Sequence, residues 1–253
     1  LLAALGAPAW SIGLLVPIRE SGSMLPQAAL TPWVRRQRQR KWVWVAGAAG
    51  QAVAVAAMAV TAATTTGTIA GVLILLALAA FALSRALTSI ASKDVLGRTI
   101  PKGSRGDING VATLVSGVVA VTVGLGIRVW GGSEANTDVL AWLLGAAALA
   151  WVAALAVYAR VREPEGDEPQ TASEEGWVAR SWALLARDAP FRRFVTVRAL
   201  LLVSALSPPF VVSLAAEQGS AGLSGLGPFV IASGLAGIIG GRPFGRLADR
   251  SSR

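Results

Sequence analysis

The stretch VWVAGAAGQAVAVAAMAVTAA, residues 43 to 63, contains no charged residue and is long enough for a helix to cross a lipid bilayer. The hydrocarbon core of a bilayer is about 30 Å thick, which about 20 apolar residues span as an α-helix. Similar stretches recur along the chain, and together they predict an all-α, polytopic transmembrane helical bundle with about seven membrane helices. The predicted spans are residues 10–34, 43–63, 68–84 with a continuation past Arg85, 108–127, 139–159, 191–216 and 222–241.

The composition supports a membrane protein and argues against several other classes. Hydrophobic residues make up 54% of the 253 residues, and 15% are charged, against about 25% in soluble domains. The net charge of +9 lies in short clusters between uncharged runs, so we expect the lipid bilayer as a partner and no nucleic acid. Cysteine and histidine are absent, which removes thiolate nucleophiles and the commonest metal ligand. We predict no enzyme, no metal and no cofactor.

The basic residues predict how the chain is oriented. Segments 35–41, 93–105, 160–193 and 242–253 carry 19 of the 23 Lys and Arg residues. Loops rich in Lys and Arg stay in the cytoplasm, so these segments are predicted to be cytoplasmic in a multi-pass inner (plasma) membrane protein. Tryptophans at predicted helix ends fit an interfacial aromatic belt; they are Trp33, Trp42, Trp44 and Trp130.

The long basic segment has two parts. REPEGDEPQTASEEG, residues 162 to 176, is acidic and without apolar anchors, so we expect it to be flexible. WVARSWALLARDAPFRRF, residues 177 to 194, predicts either a short amphipathic helix on the membrane surface or a solvated linker. Asp188 before Pro190 is a candidate N-cap for the following helix.

The last predicted span is followed by GRLADRSSR, residues 245 to 253. Gly245 would let a neighbouring helix approach closely, Asp249 could face the positive end of a helix dipole, and Arg246 and Arg250 could form charge-assisted hydrogen bonds. The stretch resembles the signature G-x-L-A-D-R-x-G-R of the major facilitator superfamily, with Ser252 where glycine is usual. That resemblance implies a conformational latch at these four residues. A plain positive-inside loop is the alternative, although it would need neither the glycine nor the aspartate.

The resemblance also implies how the chain is organised. We expect a fragment that covers about helices two to eight of twelve, with an incomplete first-half bundle at 1–159, a cytoplasmic linker at 160–190 and the start of a second half at 191–253. PKGSRGDINGVATLVSG, residues 101 to 117, resembles the family's turn between helices four and five. The other copy of the signature, at 32–41, keeps its charges but has no aspartate. The fifth helix lacks the proline typical of antiporters, which disfavours drug antiport.

Ionisable residues inside predicted spans are candidate functional residues because burying them in a membrane is costly. Glu20 is the one carboxylate in a predicted span, and a carboxylate in a low dielectric is a candidate for proton coupling. Arg19 points about 100° away around the helix, so we expect each of the two to pair with other helices. Two alternatives stay open for them, a position at the outer interface and a structural ion pair. Arg85 either faces a cavity, where it would bind an anionic substrate, or reaches the headgroups.

These features predict a secondary active permease for small-molecule solutes, driven by protons and working by alternating access. No phosphate-binding loop ending in Lys-Ser or Lys-Thr suggests ATP use. The alternative is a non-transporting membrane sensor or assembly factor on the same scaffold. The sequence does not identify the solute, the direction of transport, symport or antiport, or the oligomeric state.

Overall fold

The computed structural model describes residues 1–2, 4–130, 137–164, 177–205 and 223–251. These residues form helices joined by short connections, and no strand occurs among them, which confirms the predicted all-α class. The helices are α1 (Ala9–Arg35), α2 (Lys41–Thr64), α3 (Gly67–Thr99), α4 (Arg105–Trp130), α5 (Thr137–Tyr158), α6 (Trp177–Arg187), α7 (Ala189–Ala205) and α8 (Leu223–Ser251).

Four of these helices are long and apolar enough to cross a membrane: α2, α3, α5 and, over Arg105–Ile127, α4. Each contains one of the predicted spans, so the chain is a multi-pass membrane protein. α1 and α8 have 27 and 29 residues, which at 1.5 Å per residue is enough length to cross. The predicted span at 191–216 continues beyond Ala205, outside the described residues, and its crossing stays a prediction together with those of α1 and α8.

Two helices continue through segments predicted as loops. α3 ends at Thr99, which leaves residues 100–104 as the connection to α4, and α8 extends to Ser251. The loop assignments at 93–105 and 242–253 are therefore wrong for most of their length. Hydropathy marks where a helix leaves the hydrocarbon, but Lys, Arg and Leu are good helix formers and allow the helix to continue into water.

A first bundle consists of α1, α2, α3 and α5, with α2 packed against α3 and α5, and α1 against α3. Small residues bring α2 and α3 together: a methyl group on Gly47 would lie 2.8 Å from the carbonyl oxygen of Ser84. Beside this contact Gln51 is 1% exposed, and its Nε2 donates to Thr88 Oγ1 at 3.2 Å. Small residues and buried polar pairs are how membrane helices associate where lipid removes the hydrophobic drive.

Apolar clusters lie at both ends of this bundle. One contains Leu2, Leu5, Ala62, Ala70 and Ile74, and the other contains Val34, Val43, Ile90 and Ala91. The outer surface carries large exposed apolar side chains, among them Val53, Ile69, Leu76, Trp142 and Leu149. An apolar exterior of this extent is what a lipid-facing surface requires.

Replacing Gly47 with valine should lower the thermal stability of the protein in detergent micelles, because the added methyl groups would displace Ser84 or Thr88. Overpacking of this kind costs about 1–3 kcal/mol, which corresponds to a loss of roughly 2–10 °C in Tm for a chain of this size. Gly145→Val is the matched control, since nothing lies within 4 Å of the Cβ position there. Equal melting temperatures for the two variants would contradict the close contact between α2 and α3.

Candidate functional site

The most extensive helix–helix interface in the described residues joins α4 and α8. Both helices carry glycines seven residues apart, and seven residues are almost two full turns, so these glycines share one face of each helix. The helices run antiparallel, and the glycines meet in three pairs: Gly110 with Gly241, Gly117 with Gly234, and Gly124 with Gly227. We call these three pairs the glycine seam.

The glycine seam brings two backbones into direct contact. A methyl group on Gly110 would lie 2.6 Å from the carbonyl oxygen of Gly241, and one on Gly117 would lie 2.5 Å from that of Gly234. The reciprocal positions on α8 are equally close, at 2.8 Å for Gly241 and 2.7 Å for Gly234. Since real Cβ atoms essentially never approach backbone this closely, only glycine fits at these two pairs. The third pair is looser, because a methyl group on Gly124 would lie 3.2 Å from the carbonyl oxygen of Gly227.

Beyond the seam, the signature residues of α8 meet the first turn of α4. Gly245 lies against Gly106, and a side chain on either would collide with the carbonyl oxygen of the other. Next to them the Asp249 carboxylate accepts two backbone hydrogen bonds: the N–H of Gly106 donates to Oδ1 at 2.8 Å, and that of Asp107 donates to Oδ2 at 2.8 Å. Asp249 is 9% exposed.

Asp249 thus performs for α4 what an N-cap residue normally does from within the same helix. The first N–H groups of a helix have no intrahelical partner, and the helix dipole places partial positive charge there. A carboxylate that accepts two of these N–H groups gains both the charge–dipole attraction and charge-assisted hydrogen bonds. The cap comes from 143 residues away along the chain, so it joins α4 to the far end of α8.

The signature arginines lie at the rim of this contact. Arg246 Nε donates to Asp107 Oδ1 at 3.0 Å, and Arg242 Nε lies 3.5 Å from the same oxygen. The side chains of Arg246 and Asp107 are 56% and 39% exposed, and exposed pairs of this kind contribute about 0–1 kcal/mol. Arg250 is exposed, and no side-chain partner of it occurs among the described residues. Arg253 lies outside them.

Arg19, Glu20 and Arg85, the residues predicted to bind solute or couple protons, lie on α1 and α3. Arg19 and Glu20 pair with each other, with Arg19 Nε 3.3 Å from Glu20 Oε1, so the structural ion pair, one of the alternatives left open by the sequence, is observed in place of pairing with other helices. Two long side chains can bridge the 100° between neighbouring positions, which the direction of the Cα–Cβ bonds alone does not show. Both are partly exposed, at 54% and 33% of their side chains. Arg85 on α3 is exposed, and no hydrogen bond or ion pair joins it to this pair within the described part of the chain.

A second remote carboxylate, Glu163, had not been singled out from the sequence. Its side chain is fully buried, and its Oε2 accepts the backbone N–H of Lys41 at 2.7 Å. Lys41 Nζ also donates to the carbonyl oxygen of Val161 at 3.0 Å, and Arg98 lies 3.5 Å from Glu163 Oε1. REPEGDEPQTASEEG was expected to be flexible because it has no apolar anchor, but polar contacts fix its second residue, Glu163; residues 165–176 lie outside the described residues.

Glu163 belongs to a cluster of charges at the basic end of the first bundle. Arg40 NH1 lies 3.0 Å from Asp94 Oδ2, and Arg98 NH1 donates to the carbonyl oxygen of Arg38 at 3.3 Å. Burial lowers the pKa of Arg40, and the nearby Asp94 opposes that shift. The charges tie the start of α2 to the end of α3 and to the segment after α5. Trp44, whose interfacial position stays a prediction, stacks on Tyr158 with the ring centres 3.8 Å apart.

The sequence contains a periodic signal for the glycine seam, which the family signature does not include. Positions 110, 117 and 124 and positions 227, 234 and 241 are two glycine series with a seven-residue period, which a search for periodic small residues would find. Glu163 had no comparable signal, because its partner Lys41 is 122 residues away.

Comparison with known proteins gives one match. The family model described as Major Facilitator Superfamily matches residues 1–253. No curated protein and no solved structure matches the chain. The match covers the glycine seam, Asp249 and the predicted spans together.

We predict that Glu163→Ala lowers the melting temperature of the protein in detergent more than Glu163→Gln does. Glutamine keeps an oxygen that can accept the Lys41 N–H and loses only the charge facing Arg98, whereas alanine leaves a buried N–H and a cation without their partner. Losing a hydrogen bond to a charged group costs about 1.5–3 kcal/mol. Melting temperatures followed by tryptophan fluorescence test the order, and an alanine variant as stable as the wild type would contradict it.

Proposed function

This chain belongs to the major facilitator superfamily of transporters, and from that premise we propose that it moves small solutes across the membrane by alternating access, driven by a proton gradient. We infer that it is not an enzyme. We also infer that it lies in the inner (plasma) membrane with its basic segments facing the cytoplasm. The observation that carries the proposal is the Asp249 cap on α4, because it joins helices from the two predicted halves at the end where the basic segments lie.

The latch acts by stabilising one arrangement of the halves. With Asp249 on the α4 N-terminus and the glycine seam closed, α4 and α8 leave no opening between them at the basic end. Moving the halves apart at this end exposes the first N–H groups of α4 and the Asp249 carboxylate, which water can then solvate. The contact thus favours the state closed toward the basic side without preventing its release, as a transporter that must visit both states requires.

The proposed coupling residue is Glu20, which lies near the middle of α1 and holds Arg19 in an ion pair. Protonation of Glu20 would remove the charge that holds Arg19, so that proton binding changes the interactions of a cation on the same helix. In this proposal Arg19 and Arg85 are the cations available to an anionic solute, and the solute itself is a small molecule of unassigned chemistry.

The Asp249→Asn variant should slow transport about five- to twentyfold while the KM for solute changes less than twofold. The amide keeps one acceptor oxygen but loses the charge and faces the second N–H with a donor, so the closed state is weakened at a place far from the solute. Flux in proteoliposomes gives kcat and KM. The chain has no native cysteine, so spin labels can be placed on cysteines introduced at Asn109 and Leu247. They report the distribution of distances between α4 and α8, which should broaden toward larger distances.

Asp107→Asn is the matched control for this experiment, because it removes a charge from the same turn but touches only the exposed arginine rim. We expect it to change kcat less than twofold. If Asp249→Asn raised KM at unchanged kcat, or left the label distances as in the wild type, the latch assignment would be wrong.

The Glu20→Gln variant should lose accumulation of solute driven by an imposed pH gradient but keep solute exchange at equal concentrations on both sides. Exchange needs the conformational change without net proton movement, whereas accumulation needs a group that binds and releases a proton. Proteoliposomes loaded at different internal pH values measure both. Both tests use the full-length protein that contains these helices. Normal gradient-driven accumulation by Glu20→Gln would remove Glu20 from the mechanism, and a full-length wild type without flux for a broad solute panel would favour the sensor alternative.

A further inference from the structure

The short helix α6 has two distinct sides, although no step of the proposed transport cycle uses it. At 100° per residue, its large apolar residues fall on one side with Leu185 near the centre, while Arg180 and Arg187 fall on the other. The apolar side consists of Trp177, Val178, Trp182, Leu184 and Leu185, with Ser181 between them. With 11 residues, α6 is too short to span a bilayer.

The apolar side of α6 is partly open in the described residues, with Leu185 at its centre half-buried. Trp182 is 72% exposed and Leu184 is 47% exposed, and α7 is the helix against which α6 packs. Tryptophan and leucine side chains this exposed on a strongly amphipathic helix indicate a surface that binds a membrane or another molecule.

The corner between α6 and α7 fixes the direction of α6. Asp188 Oδ1 accepts the backbone N–H of Phe191 at 3.0 Å, which confirms the predicted N-cap. In return Arg192 NH1 donates to the carbonyl oxygens of Leu185 and Ala186 at 3.4 and 3.2 Å. Asp188 therefore caps the start of α7, and Arg192 of α7 caps the end of α6. Since α7 begins the predicted span at 191–216, the corner holds α6 beside the membrane surface.

The charges of this corner point to the chemistry of the surface that it meets. Residues 177–193 contain four arginines, which are Arg180, Arg187, Arg192 and Arg193, and a single acidic residue, Asp188. A basic polar face next to a face rich in tryptophan is the pattern of helices that lie in the interface of anionic membranes. Basic residues close to such a surface are attracted by its negative potential.

We propose that α6 lies flat in the membrane leaflet on the side of the basic segments and recognises anionic phospholipid headgroups through Arg180 and Arg187. Its apolar side, from Trp182 to Leu185, enters the boundary between headgroups and acyl chains. The corner with Asp188 and Arg192 transmits this position to α7, so that anionic lipid orients the start of the second half. The proposal does not depend on which solute is transported or on proton coupling.

The test uses the full chain in lipid nanodiscs made of phosphatidylcholine alone or with phosphatidylglycerol added. Because the chain has no cysteine, an environment-sensitive fluorophore can be attached at Leu185→Cys or at Ala183→Cys. Ala183 is exposed and lies about 160° around the helix from Leu185. With the anionic lipid, the label at 185 should shift its emission to the blue and be quenched by spin-labelled lipid at least twice as strongly as the label at 183.

In the combined variant Arg180→Gln and Arg187→Gln, the emission of the label at position 185 should differ little between the two lipid compositions. The control variant, Lys102→Gln with Arg160→Gln, removes two exposed charges elsewhere and should keep the difference in emission. Equal emission at 183 and 185 in both lipids would overturn the proposal and leave the apolar side to a protein partner. If the label at position 185 showed the same emission and the same quenching with and without anionic lipid, the proposed recognition of anionic headgroups would be wrong.

Discussion

The Asp249 carboxylate on the first turn of α4 depends on a close approach that only the glycine seam permits. If the glycines of the two tightest pairs, Gly110 with Gly241 and Gly117 with Gly234, carried side chains, the helices would stand farther apart and the carboxylate could not reach two N–H groups at 2.8 Å. Dispersion attraction across such a seam falls steeply with separation. In the proposed transport cycle, this interface would therefore alternate between a closed state with all contacts made and an open state with few of them.

The two remote carboxylates show how the same chemistry can fix one contact and leave another reversible. Glu163 caps α2 within the first bundle and faces the cation Arg98, with its side chain fully buried. Pulling it away would leave buried charges without partners, which is costly. Asp249 accepts hydrogen bonds from neutral N–H groups at the end of the interface, where a ring of exposed charges already meets water. Separation there would expose groups that water readily solvates, which supports the proposal that this contact opens and closes during transport.

Hydropathy was enough to predict the four spans in α2, α3, α4 and α5, since a membrane helix needs a length that the sequence displays directly. It did not predict that α3 and α8 extend to Thr99 and Ser251, because backbone hydrogen bonding continues where apolarity ends. The signature predicted Asp249 by its neighbours in sequence, whereas Glu163 has no local pattern, since its partner is distant along the chain. The pairing of Arg19 with Glu20 depends on side-chain conformations that helical angles do not determine.

The glycine seam also depends on the membrane. In water a glycine inside a helix costs about 1 kcal/mol relative to alanine, and several on one face of α4 and of α8 would weaken both helices. In hydrocarbon the backbone has no water to bond with, so the helix is maintained in spite of its glycines. Lipid in turn removes the hydrophobic drive for association, and close backbone contact replaces it. With α8 crossing the membrane beside α4, as the sequence predicts, the bilayer would stabilise both glycine-rich helices, and the glycines give them the contact by which they recognise each other.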